Sequence, residues 1–324
     1  MRAKIILWYN RNKRVMWRIV IIALVAIFLA RGIGYIWKQN LEDEQLGILA
    51  SQNNTNTELN SVTLNDDKST VSGKDLTKSQ TNAVTKIDEF VQYCNNNQFK
   101  EAYNLLSEDC KKEMYPTVEA FQQNYYNSIF KGTKKNVSVE NWVNYIYKVK
   151  FMEDALATGI YDTDNTIQDY ITVVTNDDDE MKLNINSYIG KKEINKEKDD
   201  KNINIKVLEK HQYMDYETYL FEITNNSDIT ILLNDNTNNS TDTMYLLDDN
   251  KLKYPAYTHE LSEADLKLSS KETRKVKIKY YNKYSSARKI KSIVFSEIIL
   301  NYYAYVNYDN VGYYKNYGVI QIDI

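Results

Sequence analysis

The sequence predicts an α+β domain followed by an all-β sandwich, both carried behind one membrane-spanning helix. Three observations predict it. An apolar run near the start is flanked by basic residues. Helical hydrophobic spacing over residues 81–130 then gives way to a period of two. From residue 203 onward, short strand-like runs alternate with turn-rich clusters.

The chain has 324 residues, enough for an anchor and two domains. With only 9 Gly and 2 Pro it is neither collagen-like nor Pro-rich, and its outlying residue type is Tyr, with 28 copies. Residues 1–38 carry Arg2, Lys4, Arg11, Lys13, Arg14, Arg18, Arg31 and Lys38 and no acid. Subtracting these eight from the net charge of −3 leaves −11 for residues 39–324. An acidic folded part argues against nucleic acid as a partner.

Ile19 to Trp37 form the candidate transmembrane helix, interrupted by Arg31. Nineteen residues of helix span roughly 28 Å, which suits a hydrocarbon core of about 30 Å. The Arg31 guanidinium can reach the headgroups, and Trp17, Tyr35 and Trp37 stand at the interfaces. Six Lys/Arg precede the span and Glu42, Asp43 and Glu44 follow it. The positive-inside rule therefore puts the basic tail, residues 1–18, in the cytosol and the rest outside the cell membrane. A cleaved signal peptide is the rival reading, opposed by Arg31 and bulky residues directly after Ala30.

Residues 38–80 read as a polar Asn/Ser/Thr/Asp linker. In the first domain, residues 81–190, Val84, Ile87, Phe90, Val91 and Cys94 share one helix face, and Phe99, Ala102, Tyr103, Leu106 and Cys110 another. Thr117 caps a third helix carrying Val118, Phe121, Tyr125 and Ile129. Val143, Tyr145, Tyr147, Val149 and Phe151 alternate as one long strand. Ala155–Tyr161, Tyr170–Thr175 and Met181–Tyr188 follow as strands, with Asn176–Glu180 as a hairpin loop. If the first two helices form a hairpin turning near Asn96, Cys110 lies about 18 Å along the second helix. That is too far from Cys94 for a disulfide, so two free, buried thiols are expected.

The segments FVQYCNNNQFKEAYNLLSEDC, EAFQQNYYNSIF and DYITVVTNDDDEMKLNINSYIG, in this order, resemble the cone-shaped nuclear transport factor 2-like superfamily. Residues 191–202 form a charged hinge. Residues 203–324 offer strands at Ile203–Glu209, Tyr216–Thr224, Ile229–Leu233, Thr243–Leu247, Arg274–Tyr281, Lys291–Phe295, Ile298–Tyr305 and Gly318–Ile324, with a helical patch at Ser262–Leu266. YETYLFEITNNSDITILLN and SSKETRKVKIKYY resemble telokin-like, immunoglobulin-like domains of bacterial surface proteins.

Chemistry-bearing motifs are sparse. His211 and His259 stand in no metal-ligand spacing and read as surface or strand-end residues. The sequence holds no nucleophile elbow and no phosphate-binding glycine loop. Asp162, Asp164 and Asp169 read as solvated loop acids, although they could surround a cavity. Asp177, Asp178, Asp179 and Glu180 read as a hairpin tip without the glycine of a calcium loop. No catalytic, cofactor or metal residues are expected, and the protein is read as a non-enzyme. A docking face for protein or glycan is offered by Tyr302, Tyr303, Tyr305, Tyr308, Tyr313, Tyr314 and Tyr317, because Tyr combines an apolar ring with a polar tip.

The cone resemblance extends to bitopic subunits of conjugative and type IV secretion machines, and to the spacer domains of some penicillin-binding proteins. It implies a membrane-tethered extracytoplasmic adaptor that binds other envelope proteins. The alternatives are a surface ligand- or glycan-binding protein and a cone-fold hydrolase or lyase.

Overall fold

The computed structural model describes residues 70–71, 77–153, 166–235, 243–307 and 314–324. The basic tail, the span at 19–37, most of the linker, the strand expected at Ala155–Tyr161, and Asp162, Asp164, Tyr308 and Tyr313 lie outside them. Among the described residues no helix is long and apolar enough to cross a membrane. All of them belong to one compact unit, Ser61–Ile324, of mixed helix and antiparallel sheet.

Helix α1 (Lys78–Asn95) starts where Thr77 and Gln80 form a reciprocal capping box. Its buried stripe, Ala83, Val84, Ile87, Phe90, Val91 and Cys94, is the face the spacing predicts. The next helix is two: α2 (Phe99–Asn104) and α3 (Glu108–Met114). They part because Leu106 forms an isolated parallel bridge to Leu183 and Ser107 caps a new start, accepting from the Cys110 amide. Thr117 caps α4 (Val118–Phe121), which runs through a π-turn at Gln122–Tyr126 into α5 (Asn127–Ile129).

These helices pack on a sheet of order β1-β2-β3-β4-β5: β1 (Thr70–Val71), β2 (Lys135–Val143), β3 (Ile146–Glu153), β4 (Ile167–Thr175) and β5 (Met181–Asn184). The single strand expected across Val143–Phe151 is instead a hairpin. Asn144 takes a left-handed φ of 51°, a conformation Asn tolerates, and turns the chain there. Asn186 and Ser187, with φ of 57° and 61°, end the strand expected to reach Tyr188 in the same way. The linker is also shorter than expected: it contributes β1, and α1 begins within it.

The remaining strands form two antiparallel sheets arranged as a β-sandwich. One has the order β13-β8-β7-β6, from β6 (Tyr188–Asp199), β7 (Ile203–Tyr213), β8 (Glu217–Asn225) and β13 (Thr273–Tyr280). The other centres on β14 (Ile290–Ile299), flanked by β10 (Met244–Asp248) and β15 (Tyr317–Asp323). β11 (Lys253–Pro255) lies outside β10, and the pair β9 (Ile231–Leu232) and β12 (Lys267–Leu268) joins the end of β14. Ser262 caps α6 (Glu263–Leu266) at the patch the sequence marks as helical.

Two expectations are corrected here. Residues 191–199 are no hinge but the outer part of β6. An edge strand exposes one backbone margin to water, so a run of Lys and Glu suits it and guards it against stray pairing. The strand expected at Ile298–Tyr305 ends at Ile299, and Asn301 caps a helix, α7 (Tyr302–Val306), by accepting from the Ala304 amide.

Two hydrophobic cores result. One gathers the helices, the first sheet and Tyr188 and Tyr213. The other gathers the sandwich, including Ile203, Ile205 and Val207. β7 feeds both, so one continuous strand ties the cores together.

Candidate functional site

A buried carboxylate of the first core is Asp169 on β4, 4% exposed. Its Oδ2 accepts from the Tyr125 hydroxyl at 2.9 Å and the Asn186 amide at 2.8 Å, and its Oδ1 accepts from the Ser187 amide at 2.8 Å. Burial pushes its pKa up to about 6, although these hydrogen bonds favour the charged form. The carboxylate thus clamps the two left-handed residues of the β5–β6 turn. Asp169 is buried, contrary to the expected loop acid, and these three hydrogen bonds hold it against Tyr125 and the turn. Around it Phe90, Phe121, Tyr115 and Tyr125 fill the interior with ring contacts of 5.8–6.1 Å between centroids.

A second polar cluster joins the helices to the sandwich. Glu113 on α3 accepts from the Tyr213 hydroxyl at 2.7 Å and from Lys277 Nζ on β13 at 2.7 and 2.9 Å. His211 stands beside it, sharing a hydrogen bond of 3.0 Å with Tyr188 and placing Nε2 3.1 Å from Glu209. Lys191 closes the cluster, 2.7 Å from Glu209. His211 is thus buried within a strand, not at a strand end, because it faces α3 across the sheet. His259 lies in a short turn beside the Tyr257 ring.

Cys94 and Cys110 are both free and buried. Burial raises the Cys94 thiol and pushes Cys110 up to about 12, which leaves neither a nucleophile. Asp177, Asp178, Asp179 and Glu180 form the expected hairpin tip, where Asn176 Oδ1 accepts from the amides of Asp178 and Glu180. This tip edges a cleft of about 820 Å³ with Ser107, Glu108, Asn184, Lys191 and Lys192 on its walls, which mix both charge signs.

The tyrosines expected to form one docking face are divided. Tyr305 and Tyr314 are core residues, 8% and 5% exposed, with rings edge to face at 5.3 Å. Tyr305 donates to Asp235, and the Tyr314 oxygen accepts from the Asn301 amide at 2.9 Å. Tyr302 donates to Glu263 at 2.7 Å beneath Lys267. Tyr303, at 62%, and Tyr317, at 36%, remain exposed. The helix at Tyr302–Val306 causes this division, since helical spacing turns adjacent tyrosines to different sides.

Sequence reasoning missed the Glu113 cluster, whose members are up to 164 residues apart. It also missed a cation held between rings: Lys279 Nζ lies 4.4 Å from the Tyr216 centroid and 4.2 Å from that of Tyr257, and bonds Glu260 at 2.9 Å. Only the abundance of Tyr hinted at such contacts.

Comparison with protein family models, characterised proteins and solved structures finds no match to this chain.

Proposed function

We propose that this chain is a membrane-tethered extracytoplasmic adaptor, with residues 1–18 in the cytosol, 19–37 across the bilayer, and the compact unit outside, where it binds other envelope proteins. The observation that carries the non-enzymatic part is the interior of the first core. The place where a cone-fold enzyme would hold its reacting groups is occupied by packed aromatic rings and by an Asp169 whose oxygens are committed to Tyr125, Asn186 and Ser187.

The finer fold reading draws support from topology. Helices packed on a sheet whose strands β2, β3, β4 and β5 run antiparallel suit a nuclear transport factor 2-like cone. The sandwich, leaving β6 aside, pairs β7-β8-β13 against β11-β10-β14-β15, the strand succession of an immunoglobulin-like Greek key. β6 is then an added strand that ties cone to sandwich, which suits a rigid spacer more than two independent modules.

The test is affinity capture of the full-length chain after mild detergent extraction. Recovery of specific envelope proteins supports the adaptor, and capture of the chain alone refutes it. The mixed-charge cleft between α3 and β6 favours a second reading, a polar ligand or glycan site. A rise in melting temperature with wall sugars would favour that reading instead.

A further inference from the structure

The chain between β13 and β14 walls a second, smaller pocket of about 270 Å³, where the hairpin tip at Asn144 meets the sandwich. Its walls are polar apart from Ile290 and the Tyr284 ring. They carry three cations, Lys210, Lys283 and Arg288, against one acid, Glu217. Such an excess runs against the acidic character of residues 39–324. Glu217 neutralises only Lys210. It is buried, its Oε1 accepts from Lys210 Nζ at 2.9 Å and Gln212 Nε2 at 3.1 Å, and its Oε2 accepts from the Tyr219 hydroxyl at 2.9 Å. Lys283 and Arg288 pair with no acid among the described residues. Arg288 is nonetheless held in place. Its Nη1 donates to Oδ1 of the buried Asn282 at 2.7 Å and to the Lys283 carbonyl at 2.9 Å, and its guanidinium lies 4.7 Å from the Tyr254 ring centroid. Nε and Nη2, one edge of the planar fork, enter no hydrogen bond among the described residues. The Tyr284 amide donates to the Met214 carbonyl at 2.8 Å and pins the loop to the turn between β7 and β8. Ser285 and Ser286 line the pocket beside it, and their hydroxyls are likewise unengaged among the described residues.

We propose that this pocket binds a phosphate monoester. The Nε–Nη2 edge of Arg288 takes two phosphoryl oxygens, Lys283 supplies the second positive charge, and the Ser285 and Ser286 hydroxyls donate to the remaining oxygen. A phosphoryl group near neutral pH carries close to two negative charges and three acceptor oxygens, which two unpaired cations and two hydroxyls match. A carboxylate has one charge and two oxygens, and a phosphodiester likewise has one charge, so either leaves a cation uncompensated. The fork is already fixed by Asn282, Lys283 and Tyr254, so little ordering cost falls on binding. The monoester belongs either to a small soluble molecule or to a lipid headgroup.

The test is isothermal titration calorimetry of the full chain in an uncharged detergent and a phosphate-free buffer. Glycerol 3-phosphate is the soluble probe and dihexanoyl phosphatidic acid the lipid probe. At least one is expected to bind saturably, with acetate about tenfold weaker or more. Arg288→Gln and Lys283→Gln should each weaken binding about tenfold, while Lys150→Gln, at an exposed position on β3, leaves it unchanged. The Lys283 side chain makes no hydrogen bond or ion pair among the described residues, so Lys283→Gln reads the site even where Arg288→Gln unsettles the loop. The basic residues of 1–38 are the same in every variant, so a loss belongs to the pocket. Tighter binding of glycerol 3-phosphate marks a soluble ligand, and tighter binding of the lipid marks a headgroup. Binding of neither probe, acetate binding as tightly as the better probe, or both pocket variants binding like the unaltered chain overturns the proposal. None of these outcomes bears on capture of envelope proteins, which tests the adaptor reading separately.

Discussion

Replacing Glu113 by alanine strikes the contact that joins α3 to the sandwich. Glu113 is the acceptor for a buried tyrosine hydroxyl, Tyr213, at 2.7 Å, and for Lys277 at 2.7 Å. A hydrogen bond to a charged group contributes about 1.5–3 kcal/mol, a figure that takes in the cost of leaving the Tyr213 hydroxyl without its acceptor. The Lys277 side chain is 41% exposed, so its ion pair contributes at most about 1 kcal/mol after screening. The expected loss is about 2–4 kcal/mol. With a urea slope of about 2–3 kcal/mol per molar, this lowers the unfolding midpoint by about 1 M. Glu113→Gln keeps an acceptor for Tyr213 and should lose about half as much. The assay is urea unfolding of the full chain in mild detergent, followed by circular dichroism. A midpoint shift for the alanine variant below about 0.2 M would refute the claim that this cluster fastens the two cores together.

Three further outcomes are expected. Asp169 is an acid whose folded pKa, about 6, lies above its unfolded value near 3.8, so the native state holds the proton longer and stability falls as pH rises from about 4 to 6. The fall is about 3 kcal/mol, and the penalty of Asp169→Asn, measured by denaturant titration at each pH, should shrink by that amount between pH 4 and pH 7; a constant penalty contradicts it. Tyr314→Ala should cost about 3–5 kcal/mol in thermal or urea unfolding while Tyr303→Ala stays within about 0.5 kcal/mol, and similar costs for both would mean the tyrosines do form one surface. Cys94 and Cys110 should resist a thiol reagent in the folded chain and react fully in denaturant, as read by mass spectrometry; prompt native labelling would contradict their burial.

The helix faces were legible because their signal is local: Val84 through Cys94 repeat at helical spacing, and burial follows that repeat. The turn at Asn144 was not, since Val143, Tyr145 and Tyr147 keep their alternation across it and only a backbone angle marks the break. Lys191–Asp199 read as a hinge because charge usually means solvent, yet an edge strand is solvated along one margin and needs little apolar content beyond Ile194. The tyrosines misled for a similar reason. Composition counted them as one cluster, while a five-residue helix after Ile299 sent Tyr305 inward and Tyr303 outward. Asp169 was singled out by type but assigned the wrong environment, because the turn it clamps is formed by residues 17 and 18 positions later.

The proposed placement of the folded unit outside the membrane is tested most directly by labelling intact cells with a membrane-impermeant maleimide. The native thiols are buried, so a cysteine at the exposed position Lys150, introduced as Lys150→Cys, reports alone. Labelling of Lys150→Cys in intact cells, with Asn12→Cys labelled only after lysis, is the expected pattern. Protection of Lys150→Cys until lysis would contradict it and place the compact unit inside the cell.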